Sequence, residues 1–256
     1  MTHSYTLITG ASSGLGLEMA RLLAARGRPL LLVARRGDRL TAVADELREA
    51  GSPEVRTFVV DLALDRSLDE FVELLEAEGL CVDTLINNAG FGLRGAFADL
   101  DMDAQISCVQ VNVRALTLLT RTLLPGMKTR GEGAILNVAS TAAFQPGPGM
   151  AVYYATKAYV LSLTEALAEE LRPHGIRVTC LCPGPTHTAF AAVAGSAHSS
   201  LLPLDALGAP FVARRGLAAL DRGRVVELPG PRNKLLVFVL RFVPRAWVRK
   251  VVARMQ

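Results

Sequence analysis

Tyr153 and Lys157 stand four residues apart in Tyr-Tyr-Ala-Thr-Lys, and three of the chain's four tyrosines fall within this short stretch, at 153, 154 and 159. On a helix, a four-residue spacing puts both side chains on one face. A lysine ammonium beside a phenol lowers the phenol pKa and readies it to exchange a proton near neutral pH. Only four of the 28 basic residues are lysine, so lysine at 157 points to a need for a compact ammonium. Tyr154 is the competing phenol, but the four-residue spacing favours Tyr153. Ser140 ends an apolar run and can hydrogen-bond a substrate oxygen. Asn112, in a long helical stretch, could hold a water that relays protons to Lys157. Tyr-x3-Lys also occurs on ordinary amphipathic helices, and its weight comes from a second motif upstream.

That motif is Thr9-Gly10-Ala-Ser-Ser-Gly14-Leu-Gly16, set between an apolar run and a helical one. Glycines there permit a tight turn and let a pyrophosphate approach the backbone where free N–H groups and the helix dipole favour anions. The spacing, Gly-x3-Gly-x-Gly, differs from the Gly-x-Gly-x-x-Gly fingerprint. About 20 residues further on, an NAD site places an acid against the ribose 2′-hydroxyl. Here Arg35 and Arg36 occupy that place. They can pair with a 2′-phosphate through charge-assisted bonds, whereas an acid would repel it. The expected cofactor is NADP(H). Asp61, closing the third apolar run, can accept from an adenine amine.

The elements that must position these residues alternate. Tyr5–Thr9, Pro29–Ala34, Val55–Val60, Thr84–Asn87, Ala134–Ala139 and Ile176–Leu181 read as strands covered on both faces. Leu15–Arg26, Asp38–Ala50, Ser67–Glu78, Met102–Arg130 and Val152–Arg172 read as helices. Such alternation predicts an α/β fold, a Rossmann-type doubly wound parallel sheet in a single domain with a C-terminal helical tail. A further strand is expected near Arg224–Leu228. The small, Ala/Ser-rich segment from Pro185 to about Pro210 suits a mobile lid.

The chain has 256 residues, half of them hydrophobic, enough for a sizeable core without disulfides or metal. Disorder, collagen and coiled coil are excluded by composition. No apolar run nears the roughly 18 residues that span a bilayer, and residues 5–8 enter a glycine turn with no basic segment before them. Cys81, Cys108, Cys180 and Cys182 read as reduced thiols. The four histidines lack metal-ligand spacing, so no metal is expected. A cytoplasmic protein is predicted. The net charge of +4 hides an asymmetry: residues 228–256 hold seven cations and no acid. The body is mildly acidic, which argues against nucleic-acid binding.

Together these pieces resemble the classical short-chain dehydrogenase/reductase family over residues 4 to about 227. The resemblance rests on TGASSGLG (9–16), Asp61, NNAG (87–90), Asn112, Ser140, YYATK (153–157) and PGPTHT (183–188). It implies an NADP-binding domain over 1–227 and a catalytic tetrad of Asn112, Ser140, Tyr153 and Lys157. It also assigns cofactor contacts to Gly10, Ser12, Ser13, Gly14, Leu15, Gly16, Arg35, Arg36, Asp61 and Leu62. Further along, it assigns them to Asn88, Ala89, Gly90, Tyr153, Lys157, Pro183, Gly184, Thr186 and Thr188. The implied reaction moves a hydride between the nicotinamide and a carbonyl or alcohol carbon. Tyr153 acts as acid/base, and the small-molecule substrate is a ketone or alcohol. The resemblance further implies a homodimer or homotetramer paired through the two long helices. Tyr154 departs from the family, which usually has a small residue there.

Candidate pocket residues are Phe91, Leu93, Phe97, Ala142, Phe144, Met150 and Phe190, with Arg94 and His187 as polar possibilities, so an apolar ketone is expected. The basic, apolar extension 228–256 has two readings. In one, its apolar face and cations meet an anionic membrane surface peripherally. The other, favoured because Pro244 breaks the helix, packs it on its own domain or a neighbouring subunit. The rival to an enzyme is a non-catalytic NADPH-binding regulator, which would have no need to keep the tyrosine and lysine present here.

Overall fold

The computed structural model describes residues 4–187 and 206–255. Seven parallel strands, β1 (Tyr5–Thr9), β2 (Leu30–Ala34), β3 (Val55–Val59), β4 (Val82–Asn87), β5 (Gly133–Val138), β6 (Ile176–Leu181) and β9 (Val226–Glu227), form one sheet. Their order is β3-β2-β1-β4-β5-β6-β9, while the two-residue strands β7 (Thr186–His187) and β8 (Leu207–Gly208) pair separately.

The apolar runs make this architecture because their neighbours face opposite ways. Ile8, Leu30, Leu32, Ile86 and Leu136 face one layer, built by α1 (Gly14–Ala24), α2 (Gly37–Glu49) and α7 (Ala209–Asp221). Leu7, Leu31, Val33, Leu85 and Ile135 face the other, built by α3 (Asp65–Ala77), α5 (Leu116–Arg130) and α6 (Ala151–Leu171). Both sheet faces are covered, as uninterrupted apolar strands require. Strand order reverses between β1 and β4, and open sheets of this kind have their binding crevice there, outside the carboxyl ends of the strands.

Boundaries differ from expectation by a residue or two: Pro29, Val60 and Ala139 fall outside their strands, and β4 begins at Val82. A larger correction concerns Met102–Arg130. It is not one regular helix: α4 (Met102–Val109) passes through a π-helical turn, Gln110–Ala115, into α5. The π-turn contains Asn112, and such turns cluster at functional sites. Apolar periodicity carries no mark of one inserted residue.

Beyond β9 lie α8 (Pro231–Leu240) and α9 (Arg245–Met255), separated at Pro244 as its missing N–H demands. Val237, Val248 and Val252 are buried, while seven other large apolar side chains of this tail are exposed. Glu227, at the root of the tail, is buried and pairs with Arg215 (2.6 Å) and Arg224 (3.4 Å), joining the sheet edge to α7.

Candidate active site

The glycine loop is closed from behind by the end of β4. Thr9 Oγ1 accepts the backbone N–H groups of Asn88 and Ala89 at 3.0 Å, and Asn88 Nδ2 donates to Thr9 O at 2.9 Å. A Cβ on Gly16 would lie 2.5 Å from both Asn88 Nδ2 and Gly10 O, and Gly10 itself has φ +66°. No side chain fits here, and an L-residue at 10 would be strained. Helix α1 then starts with no side-chain cap on its N–H groups and no acid in its first turn. Its open N–H groups face the crevice end with their positive partial charge uncompensated.

The two arginines are treated differently by the fold. Arg36 reaches back over the loop, donating to Ser12 Oγ at 3.2 Å and Ser13 Oγ at 3.3 Å. Arg35 is exposed and has no side-chain partner among the described residues. Asp61 lies two residues past β3, not at its end, and its carboxylate accepts from Ala63 N at 3.0 Å. Leu62 is buried in the core beside it.

Tyr153 and Lys157 occupy the first two turns of α6, both buried, with the lysine Nζ 5.8 Å from the phenol ring centroid. Lys157 Nζ donates to Val138 O at 2.8 Å, anchoring it to the end of β5. Ser140, two residues beyond β5, caps the 3₁₀ turn Thr141–Phe144 by accepting from Ala142 N at 3.1 Å. Its hydroxyl also hydrogen-bonds the Tyr153 phenol. Asn112 is buried, with Oδ1 accepting from Phe91 N (3.1 Å) and Nδ2 donating to Phe91 O (2.9 Å) and Thr156 Oγ1 (3.0 Å). Its amide therefore clamps the segment after β4, where a Cβ on Gly90 would meet Asn112 Oδ1 at 2.9 Å and Lys157 Nζ at 3.2 Å. A Cβ on Gly92 would strike the Tyr153 ring at 2.9 Å. Asn112, Tyr153 and Lys157 thus meet around one short glycine-containing segment, and Ser140 joins them through the Tyr153 phenol.

The electrostatics correct one expectation. Burial pushes the Tyr153 phenol well above its ordinary range, the Ser140 hydrogen bond only partly opposing it. The lysine does not outweigh that burial, and burial acts on it as well, bringing its own pKa down to about 8. Buried Cys108, whose Sγ lies 3.2 Å from Phe91 O, has its thiol raised to about 11 by burial. The site holds a protonated phenol beside an ammonium that titrates near the physiological range.

Ala142 and Met150 pack against Tyr153, with Tyr154 at their side and its ring edge-on to Tyr153 at 6.0 Å between centroids. Of the other pocket candidates, Phe144 packs into the core under the site, Phe97 is exposed, and Arg94 is half-buried. His187 is exposed in β7, where Thr186 Oγ1 donates to Gly184 O at 2.9 Å. Pro183 O accepts from Thr141 N, tying this segment to the Ser140 turn. Thr188, Phe190 and the rest of residues 188–205, most of the expected lid, lie outside the described residues.

Three contributors escaped sequence reasoning. Thr9 lay inside the quoted motif but had no role assigned, and Thr156 hides between Tyr153 and Lys157. Asn233 in α8 sits so close to Gly184 that a Cβ there would meet its Oδ1 at 2.5 Å. Nothing in the local pattern of α8 marks that contact.

The model of the family described as short chain dehydrogenase matches residues 4–198. The chain belongs to this family. A short-chain dehydrogenase from Sphingobium yanoikuyae, solved in complex with NADPH, is 34% identical with a TM-score of 0.84, covering 93% of this chain and 94% of that one. The bulky-bulky ketone specific alcohol dehydrogenase from Comamonas testosteroni is 32% identical at TM-score 0.80, covering 94% and 93%. A short-chain dehydrogenase/reductase from Burkholderia phymatum in complex with NAD is 30% identical at TM-score 0.79, covering 92% of each. The chain is accordingly an oxidoreductase of a family whose members carry NADPH in one case and NAD in another.

Proposed function

We propose that this chain is an NADP(H)-dependent carbonyl reductase acting on an apolar ketone, with Tyr153 as the proton donor. The observation that carries the reading is the buried Tyr153 phenol, hydrogen-bonded to Ser140, with the Lys157 ammonium one turn along the same helix face.

The glycine cradle fits a dinucleotide: it has no room for side chains at Gly10 and Gly16, and the uncapped start of α1 offers N–H groups to a pyrophosphate. Gly10, Ser12, Ser13, Gly14, Leu15 and Gly16 would hold the phosphates. Asn88, Ala89 and Gly90 would line the middle of the cofactor, and Pro183, Gly184, Thr186 and Thr188 its nicotinamide end. Asp61 and Leu62 would meet the adenine. Arg36 with Ser12 and Ser13 is the anion-binding group best suited to a 2′-phosphate, and Arg35 is the outer of the pair. When bound, the nicotinamide supplies the hydride that reduces the substrate carbon.

The chain's own residues handle the proton. Tyr153 gives its phenolic proton to the carbonyl oxygen, and Ser140 donates a hydrogen bond to the same oxygen as charge develops there. Lys157, charged below about pH 8, offsets the phenolate that remains. Asn112 acts on position, holding the Phe91 backbone and Thr156 that frame the two side chains. A small apolar wall, Ala142 and Met150, supports an apolar substrate. Exposed Met102, Ile106 and Val109 along α4 support pairing of subunits through the long helices, as a homodimer or homotetramer.

The test is NADPH and NADH oxidation over a panel of apolar ketones, 3-oxoacyl thioesters and aldehydes. NADPH-linked turnover of an apolar ketone is expected, and NADH preference would overturn the cofactor assignment. Tight NADPH binding with no turnover of any carbonyl would favour the regulator.

A further inference from the structure

The tail beyond β9 combines large exposed apolar side chains with a run of exposed cations. Leu235, Leu236, Phe238, Val239 and Phe242 of α8 and its exit, then Trp247 and Val251 of α9, are all exposed, Phe242 by 73% and Trp247 by 69%. Phe238 and Phe242 meet edge to face, ring centroids 5.2 Å apart, and both rings are largely exposed. Inward-facing Val237, Val248 and Val252 already fasten both helices to the body. The exposed set is therefore a second apolar face, not the one that holds the tail down. Leu235, Phe238, Val239 and Phe242 share one side of α8 by helical spacing, as Trp247 and Val251 do on α9, and exposed apolar sides of this kind mark an interaction site.

The charge around it identifies the partner. Residues 228–256 contain seven cations and no acid. All seven are exposed, and among the described residues Lys234, Arg241, Arg245, Arg249, Lys250 and Arg254 have no ion-pair partner. We infer that residues 231–254 seat the protein on an anionic phospholipid surface. The aromatic and aliphatic side chains enter the headgroup boundary and the cations meet lipid phosphates. Pairing with a second copy through the same face is disfavoured, because a two-fold interface would bring both sets of seven cations together. Neither helix is long or apolar enough to cross a membrane, so the tail lies on the surface. It lies beside the site as well: Asn233 abuts Gly184, and α8 packs on the 3₁₀ turn that Ser140 caps.

Trp247 is the chain's only tryptophan, so its emission reports the tail directly. The full-length protein is titrated with vesicles of phosphatidylcholine and phosphatidylglycerol in equal parts, at low and high salt. Co-sedimentation is measured alongside, and cofactor is omitted. A blue shift with co-sedimentation, both reversed by salt, is expected. Arg241→Glu/Arg245→Glu/Arg249→Glu should weaken partitioning by about a hundredfold or more, at roughly fivefold per cation. Absence of a shift and of sedimentation at low salt would overturn the inference. So would equal binding to pure phosphatidylcholine, which would remove the anionic requirement. A lipid-independent shift that follows protein concentration, with doubled mass in light scattering, would overturn it in favour of self-pairing. None of these readouts depends on turnover.

Discussion

The glycine-loop crevice and the C-terminal tail are built from different residue types and end in opposite conditions. At the crevice, Thr9, Asn88 and Asn112 each bond backbone groups of another segment, Ser140 caps the turn that follows it, and glycines stand where a Cβ would collide. In the tail, large apolar chains and exposed cations stand in solvent above three buried valines. Complete packing fixes one geometry and makes substitutions expensive. Open packing leaves residues available to something outside the fold. Substitutions should therefore separate the two regions sharply.

The largest effect is expected at Lys157. Lys157→Met keeps the volume but removes the ammonium, and steady-state kcat with NADPH and a ketone should fall about a thousandfold. At the sheet edge, Glu227→Ala removes the buried carboxylate that holds Arg215 and Arg224, whose exposed guanidinium groups can then turn to solvent. It should cost about 2 kcal/mol in urea unfolding, whereas turnover per folded molecule is kept. Arg36→Ala should raise the NADPH Kd by about thirtyfold, the scale of a lost charged hydrogen bond, and leave that of NADH unchanged, as measured by nucleotide fluorescence. Equal losses for both nucleotides would instead make Arg36 a structural brace of the loop.

A pH series gives a smaller, signed effect. Lys157 is held to about 8 from an ordinary 10.5. Reductive kcat should decline as pH rises through about 8, because the ammonium is lost while the phenol stays protonated. Stability moves the other way: between about 8 and 10.5 the unfolded chain binds a proton that the folded chain has released, so unfolding free energy rises over that window. The smallest effect belongs to the tail, where Leu235→Ser and Phe242→Ser should change stability by no more than about 0.5 kcal/mol. A large loss there would show that the outer face is packed and would collapse the contrast.

Much of the fold could be read in advance because strand–helix alternation is written in continuous apolar runs, and two-sided burial follows from them. The tetrad candidates were legible for a related reason: Tyr153 and Lys157 sit at a helical spacing, and Ser140 sits just past a strand. The π-turn at Asn112 was not, since an extra residue in a helix leaves hydrophobic periodicity nearly unchanged over one turn. Nor could Arg35 be told from Arg36: only the path of the chain after β2 decides which guanidinium turns back over Ser12 and Ser13. The direction of the Tyr153 shift was misjudged because proximity to a cation is visible in a sequence and depth of burial is not. Asn233 against Gly184 joins residues 49 apart and has no local signature.

The most direct test of the account is single-turnover reduction of an apolar ketone by Tyr153→Phe, measured beside NADPH binding to the same variant. The account predicts a rate lower by about a thousandfold with NADPH affinity within about twofold of the parent, since only the proton is removed. A variant that reduces the ketone at the parent rate would contradict Tyr153 as the proton donor.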